Sequence, residues 1–410
     1  MRSVVAFLTL VAGIMPATAA PRPPGLVRIA TFNCSLNRPT EGGLRRSLSV
    51  PDDPQARNVA EIIQRVHPDV LLLQEFDYDA AGESLRAFQT NYLARPQNGA
   101  AAITFAHSFL AESNTGVPSG FDFDNDGRIE GGADALGFGD FPGQYGMALL
   151  SRFPIDAGHV RTFHKFLWRD MPGALLPDTL ATPPPFDWYS PQELAVLPLS
   201  SKSHWDVPVR IGRMTLHLLA SHPTPPAFDG PEDRNGLRNH DEIRFWSDYL
   251  NGASYLRDDR GQRGGLTGKA FVIMGDQNSD PVDGASMHDA IDALIANPRI
   301  NPSFVPRSAG AAEAAAQGGV NTTQQADPGT DTADFNDRVA GNLRVDYLLP
   351  AKGMRVCGGG VFWPSEHDPL ARLVWGDAPA PSSDHRLVWI DVSVDGTRCP
   401  PGNDPTASAP

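Results

Sequence analysis

Cysteine is scarce in this chain, with three residues in 410, which is too few for a disulfide framework. Cys357 and Cys399 would be able to pair in an oxidising compartment, and that bond would tie the C-terminal segment to the fold. Cys34 stands at the end of a predicted strand, so we expect it to be buried and single. A catalytic thiol is the weaker interpretation, because no other feature of the sequence requires one.

Long apolar runs are also missing. The run at residues 4–14 is too short to span a bilayer, and no later segment approaches the necessary length. Because this run follows Arg2 and precedes the small residues 17–19, residues 1–20 are predicted to be a secretory signal. We therefore expect a protein without a membrane span that is secreted or periplasmic.

Basic residues are outnumbered: 34 Lys and Arg face 48 Asp and Glu, and the net charge is −14. A protein that binds duplex nucleic acid tightly and non-specifically usually carries a basic face, so this balance argues against such binding. It does not exclude a nuclease, because bound divalent cations offset local negative charge. Nucleic acid therefore stays a possible substrate.

The N-terminal part of the chain has the pattern of a strand, a helix and a second strand. Residues 26–33 (LVRIATFN) alternate like a strand, a helix begins at Pro54, and residues 69–75 (DVLLLQE) form a buried strand. A connection of this kind joins parallel neighbours. Asn33 and Glu75 should therefore leave the sheet at the same edge.

Polar side chains stand at or near six predicted strand ends. A single such residue has a purely structural explanation, which is solvation of a strand terminus. Together they supply oxygen ligands without a cluster of Cys or paired His, which favours Mg²⁺ or Mn²⁺ over zinc. The residues are Asn33, Glu75, His222, Asp276, Asn278, Asp346, Asp384 and His385.

An acidic loop lies within residues 91–145. Asp122, Asp124, Asp126 and a Gly at the sixth position match the opening of an EF-hand-type calcium loop, and Glu130 falls at the ninth position. The twelfth position lacks the bidentate Glu, and no helix pair flanks the segment. The alternatives are a structural calcium ion in the 122–134 loop and a solvated Asp-rich turn.

Three basic or imidazole side chains are possible substrate contacts. Lys202 and His204 alternate on one predicted strand face and could meet an anion, although a solvated strand face is the more frequent explanation. Arg238 lies in the polar segment that leads into a later helix. Residues 160–200 are rich in Pro and aromatic residues, and we interpret them as an ordered loop that walls a substrate pocket.

The ordered set of motifs resembles the endonuclease/exonuclease/phosphatase superfamily. The set runs through residues 27–394 as ATFN, LLLQE, ASHP, GDQN, RVDYLL and SSDH. The resemblance implies an α/β (α+β) fold: a DNase I-like, four-layer sandwich of two mixed β-sheets flanked by helices. It also implies one domain over 21–399, with insertions near 91–145, 160–200 and 305–340, and we expect a disordered tail at 400–410.

The same resemblance implies roles for the metal-site and water-activating residues. Asn33, Glu75 and Asp384 would form the metal site, with Glu75 as the principal ligand. Asp276 would orient and deprotonate the attacking water, and Asn278 would hold a phosphate oxygen.

The resemblance also implies a role for each remaining strand-end residue. Asp346 and His385 would form a carboxylate–imidazole pair that holds negative charge on the phosphoryl group, and His222 would donate a proton to the leaving oxygen. The SSDH motif is closer to nucleases and sphingomyelinases than to inositol phosphatases, which would want a basic residue where His385 stands.

Our prediction is an exported, divalent-metal-dependent phosphoesterase. It would hydrolyse small organic phosphate esters by in-line attack of an activated water, and no obligate protein partner is evident. A secreted endonuclease is the nearest alternative. An alternative of another class is a non-catalytic, calcium-stabilised surface or binding protein, against which stands the presence of every expected catalytic residue.

Overall fold

Two β-sheets form the centre of the fold. The computed structural model describes residues 25–179, 187–376, 379–394 and 396–399. The predicted signal segment and the predicted disordered tail lie outside these residues. In chain order the strands are β1 (Leu26–Asn33), β2 (Val70–Gln74), β3 (His107–Phe109), β4 (Met147–Ser151), β5 (Arg161–Thr162), β6 (His204–Ile211), β7 (Met214–Ser221), β8 (Phe271–Asp276), β9 (Ala333–Asp334), β10 (Asn342–Leu343), β11 (Asp346–Pro350), β12 (Val356–Val361) and β13 (Val388–Ser393).

Both sheets are mixed. The first has the order β12-β13-β1-β2-β4-β3, in which only β1 and β2 pair in parallel. The second has the order β11-β8-β7-β6-β5, in which only β7 and β8 are parallel. The strands β9 and β10 form a separate two-stranded ladder. The predicted parallel pairing of the first two strands is confirmed.

Helices cover the outer faces, while β1 and β2 pack against β8 and β11 across the core. The apolar stripe of the second helix, with Val59, Ile62 and Ile63, is fully buried. Trp246 and Tyr249 of the fourth helix are buried and bond to Ser221 and Asp206 of the second sheet. The four predicted layers are therefore present. The helices are α1 (Gly43–Leu48), α2 (Pro54–Val66), α3 (Glu83–Phe88), α4 (Arg234–Leu250), α5 (His288–Ile295) and α6 (Ala309–Ala314).

The two long insertions are tied to each other and to the second sheet. The side-chain amide of Asn114 donates to the carbonyls of His164 and Ser200, at 2.7 and 2.8 Å. A Cβ at Gly137 would lie 2.0 Å from the carbonyl oxygen of Ser201, so only glycine permits this close approach. The insertions therefore pack as ordered walls over one end of the sandwich. Within the described residues, no helix is both long and apolar enough to cross a membrane.

Cys357 and Cys399 are bonded as a disulfide, and Cys34 is buried and free, as the sequence suggested. The bond joins β12 to the segment after β13, across a sequence separation of 42 residues. A covalent link over this separation removes loop-closure entropy from the unfolded chain.

We predict that Cys399→Ser lowers the free energy of unfolding by about 2–4 kcal/mol, because the unfolded chain regains that entropy. Urea denaturation with and without dithiothreitol measures this. Reductant should destabilise the parent to the level of the variant and leave the variant unchanged. Equal stability of parent and variant without reductant would contradict the prediction.

Candidate active site

The polar strand ends meet at one edge of the sandwich. Asn33 ends β1, Glu75 follows β2, His222 follows β7 and Asp276 ends β8, so two parallel pairs deliver side chains in the same direction. The amide Nδ2 of Asn33 donates to Asp276 Oδ2 at 3.1 Å, which joins the two sheets. Asp346 lies directly across the ladder from Asp276. The predicted convergence is therefore present.

The backbone at two of these strand ends is left-handed. Glu75 has a φ of 53° and Asn278 a φ of 50°, a region that non-glycine residues adopt uncommonly. Gly275 has a φ of 140°, and a Cβ there would lie 2.0 Å from the carbonyl oxygen of Ser221. This close approach explains the glycine of the GDQN motif. The side-chain amide of Asn278 donates to the carbonyl of Pro223 at 3.1 Å.

One carboxylate oxygen stands at the centre of the site. Besides Asn33, Asp276 Oδ2 has His222 Nε2 at 3.4 Å and His385 Nε2 at 3.6 Å. The other oxygen, Oδ1, accepts the backbone N–H of Asn278 at 2.8 Å. Burial raises the pKa of Asp276 to about 7, although the charge of His385 works against that shift. A carboxylate with this pKa can accept a proton near neutral pH.

Asp346 and His385 form the expected pair. His385 Nδ1 lies 2.9 Å from Asp346 Oδ2, which also accepts the Thr332 hydroxyl at 2.9 Å. Burial works to lower the pKa of His385, but the carboxylates of Asp346 and Asp276 outweigh it and raise that pKa well above its ordinary value. The ring is therefore an imidazolium at neutral pH.

Both oxygens of Glu75 are held by side-chain amides. Asn33 donates to Oε1 at 3.2 Å and Asn37 to Oε2 at 2.8 Å. Burial, with the charge of Asp384, raises the pKa of Glu75. Asp384 is exposed and accepts from the Ser35 hydroxyl at 3.2 Å. Within the described residues, neither Glu75 nor Asp384 forms an ion pair with a Lys or Arg. Their neighbouring carboxylates are a set of oxygen ligands that suits a hard divalent cation.

A second group of possible metal ligands overlaps this one. Asp276, Asp346 and His385 each offer a ligand atom within 4.8 Å of the others. His385 Nδ1 already engages Asp346. Because Mg²⁺ prefers oxygen ligands, the oxygen set around Glu75 fits a hard cation better than the group that includes the His385 ring.

His222 and Lys202 complete the centre. Burial, with the charges of Lys202 and His385, lowers the pKa of His222 well below its ordinary value, so its ring is neutral at neutral pH. Its Nδ1 is buried without a hydrogen-bond partner among the described residues. Lys202 is buried and donates to the Pro223 carbonyl at 3.4 Å. Burial lowers the pKa of its amine, although the charges of Glu242, Glu75 and Asp276 work against that shift. A buried amine therefore lies beside the acidic cluster.

The other two suggested substrate contacts lie elsewhere. His204 is buried against Phe245, and its ring nitrogens meet the Ser200 hydroxyl at 2.5 Å and the Glu242 carbonyl at 2.8 Å. Arg238 is buried and donates to three backbone carbonyls, including that of Leu199 at 2.9 Å. Because the polar atoms of both side chains form hydrogen bonds within the fold, neither side chain is free to contact substrate.

Two residues of α4 position the catalytic loops and were missed by the sequence analysis. Buried Glu242 accepts the backbone N–H of Ser201 at 2.7 Å and of Thr224 at 2.6 Å. Asn239 donates to the carbonyls of Thr224 and Gln277, at 2.8 and 3.0 Å. Buried polar residues on the inward face of a helix were the available signal, because such groups need partners.

The acidic loop brings three carboxylates together. Asp122, Asp124 and Asp126 each offer an oxygen within 4.8 Å of the others. Glu130 does not join them, because it is exposed and pairs with Arg128 at 3.3 Å. The expectation that Glu130 completes the set is therefore not supported by the geometry.

Asp134 closes the acidic loop from inside. It accepts the backbone N–H of Phe123 at 2.7 Å and of Glu130 at 2.8 Å, so both of its oxygens are already used. It stands one place after the EF-hand position for a bidentate Glu, and its bonds explain why the loop keeps a closed shape without that Glu.

Comparisons with known proteins identify the family. The profile of the Endonuclease/Exonuclease/phosphatase family matches residues 30–385. Among curated protein sequences, none matches this chain. Similar solved structures include an endonuclease/exonuclease/phosphatase from Beutenbergia cavernae, at 16% identity and a TM-score of 0.45, with 90% of this chain and 72% of that chain covered.

Two further solved structures are similar to a comparable degree. A family protein from Leptotrichia buccalis has 14% identity and a TM-score of 0.45, covering 90% of this chain and 100% of that one. Sphingomyelinase C from Streptomyces griseocarneus has 13% identity and a TM-score of 0.44, covering 89% and 99%. With the family profile spanning most of its length and its strand ends converging on an oxygen-rich site, this chain belongs to the endonuclease/exonuclease/phosphatase family of metal-dependent phosphoric ester hydrolases.

Proposed function

We propose that this protein is an exported phosphatase or phosphodiesterase that hydrolyses small organic phosphate esters by in-line attack of water. The observation that carries the proposal is the convergence of Asn33, His222 and His385 on one oxygen of Asp276. A carboxylate with a pKa near neutrality, surrounded by donors, suits deprotonation of water beside a phosphoryl group.

The proposed metal site consists of Glu75, Asp384 and Asn33. A bound Mg²⁺ or Mn²⁺ would offset the charge of these carboxylates and stabilise negative charge on phosphoryl oxygens. Mg²⁺ prefers such oxygen ligands and keeps part of its water shell, which the exposure of Asp384 permits. The identity of the cation belongs to this proposal.

The protein side chains divide the remaining work. Asp276 takes the proton of the attacking water, and the His385 imidazolium, held by Asp346, stabilises the charge that develops on phosphorus-bound oxygens. Asn278 and Lys202 orient a phosphate oxygen. Because His222 is neutral, it serves the leaving oxygen as a hydrogen-bond donor.

Two observations support the remaining parts of the proposal. The disulfide between Cys357 and Cys399 is compatible with export to an oxidising compartment. The net charge of −14 favours small esters over duplex nucleic acid, because an acidic protein repels the negatively charged phosphate backbone. A secreted endonuclease is the competing outcome of the first test below.

A substrate panel tests the proposed reaction. We expect Mg²⁺-dependent turnover of bis(4-nitrophenyl) phosphate or 4-nitrophenyl phosphate, slow nicking of plasmid DNA, and loss of all activity with EDTA. Absorbance at fixed metal concentration and gel electrophoresis measure the two classes. Rapid nicking with negligible small-ester turnover would establish the endonuclease instead.

Asp276→Asn should lower kcat by about 100-fold or more, because an amide cannot accept the proton of water. The variant should stay folded, since the amide keeps the shape of the side chain and Asp346 still pairs with His385. The matched control is Asp289→Asn, which changes an exposed residue of α5. The activity of this variant should equal that of the parent. Near-normal turnover of the Asp276 variant, with an unchanged circular dichroism spectrum, would remove Asp276 from this role.

We also propose that Asp122, Asp124 and Asp126 bind a structural calcium ion that stiffens the loop. Calcium in excess should raise the Tm of the parent by about 3 °C, because it binds the folded state. Asp124→Ala should abolish that rise, whereas Glu130→Ala should keep it, because Glu130 lies outside the carboxylate group. If calcium leaves the Tm of the parent unchanged, the proposed calcium site is wrong.

A further inference from the structure

The two insertions enclose a cavity of about 600 Å³. Residues 112–117 and 136–143 supply one side, and residues 164–167 and 195–198 supply the other. We call this cavity the insertion pocket. Its apolar lining comprises Val117, Leu136, Pro142, Leu167, Val196 and Pro198.

The insertion pocket is built partly by the loops that also carry residues of the catalytic edge. Asn114 lines it, and the backbone N–H of Asn114 donates to the carbonyl of Lys202 at 3.1 Å. Tyr78 lines it as well, three residues after Glu75, and its backbone N–H donates to Gly143 at 2.8 Å. The loops that carry the buried lysine and the principal acid are therefore the same loops that shape the wall of the pocket.

The lining of the pocket includes the charged residues Glu112 and Lys165, and several of its other polar groups are already engaged. The side-chain amide of Asn114 donates to two carbonyls, and the Ser113 hydroxyl bonds to Thr115 at 2.7 Å. His164 pairs with Asp259 at 2.6 Å. These groups have little hydrogen-bonding capacity left for the hydroxyls of a sugar or the edges of a base. An uncharged apolar group gives up no hydrogen bonds to water when it binds against such a wall.

We propose that the insertion pocket binds the uncharged, apolar organic substituent of the phosphoester while its phosphoryl group lies in the catalytic centre. This inference rests on the proposed function and names its substrate class: esters that carry a sizeable alkyl or aryl group. The volume lies within the range of about 300–1,000 Å³ that holds such groups in other proteins. Apolar burial would then contribute most of the discrimination among esters.

An alkyl series tests the pocket by catalysis. For 4-nitrophenyl methyl, butyl and octyl phosphodiesters at fixed Mg²⁺, kcat/KM should rise by about threefold per added CH₂ until the pocket is filled. Val196 lines the pocket and is 37% exposed, so Val196→Asp should fold and should remove this rise while leaving the methyl ester largely unchanged. The matched control is Val50→Asp, 49% exposed and outside the pocket lining, which should keep the rise.

Val196→Trp serves as a second variant that keeps the wall apolar. It should fill the pocket and slow the octyl ester by about tenfold or more, with the methyl ester spared. Binding of neutral 2-naphthol, followed by fluorescence in EDTA, reports on the pocket without any chemistry. Val50→Asp should bind it like the parent, and both Val196 variants should lose affinity.

The two proposals fail differently. A parent that hydrolyses the three diesters equally well and does not bind 2-naphthol would overturn the insertion pocket and leave the proposed function standing. A parent that binds 2-naphthol but hydrolyses no phosphoester with any divalent metal would overturn the proposed function and, with it, the assignment of the pocket to a substrate.

Discussion

The buried carboxylate of Asp276 is the interaction on which the catalytic edge depends. An ionised carboxylate removed from water is costly unless charges and donors surround it, and here the partners come from separate parts of the chain. Asn33 reaches it from the first sheet, His222 from the second, and His385 from the loop before β13. Compensating one charge therefore holds both sheets in a single alignment at this edge.

The electrostatics of the site follow from unequal compensation. Asp346 and Asp276 together raise the pKa of His385, whereas burial and the charges of Lys202 and His385 lower the pKa of His222. Within the described residues, His222 Nδ1 has no hydrogen-bond partner. Two imidazoles beside the same oxygen thus have pKa values shifted in opposite directions. Burial and the charge of Asp384 raise the pKa of Glu75 despite the opposing effects of His385, Asn33 and Lys202, and a divalent cation would stabilise its ionised form.

Around this centre, the family core and the insertions have separate tasks. Glu242 and Asn239 of α4 hold the loops that carry Lys202 and the residues after His222 and Asp276. The insertions add no acid to the catalytic cluster but bring apolar side chains beside it. In the proposed function the strand ends carry the reaction chemistry, and the walls that the insertions build would select the organic group.

The sequence by itself determined the parallel start of the first sheet and the set of strand-end side chains, because strand patterns and short motifs are local. The two mixed sheets followed from the resemblance to the family. The sequence predicted Asp346 inside a strand, whereas in the structure it begins β11 opposite Asp276. The sequence did not predict β12, because this glycine-rich strand has no alternating apolar pattern. Only the tertiary structure decided that His204 and Arg238 are structural, that Glu242 positions loops, and which imidazole is charged. Burial and bonding partners set these properties, and both arise from residues far apart in the chain.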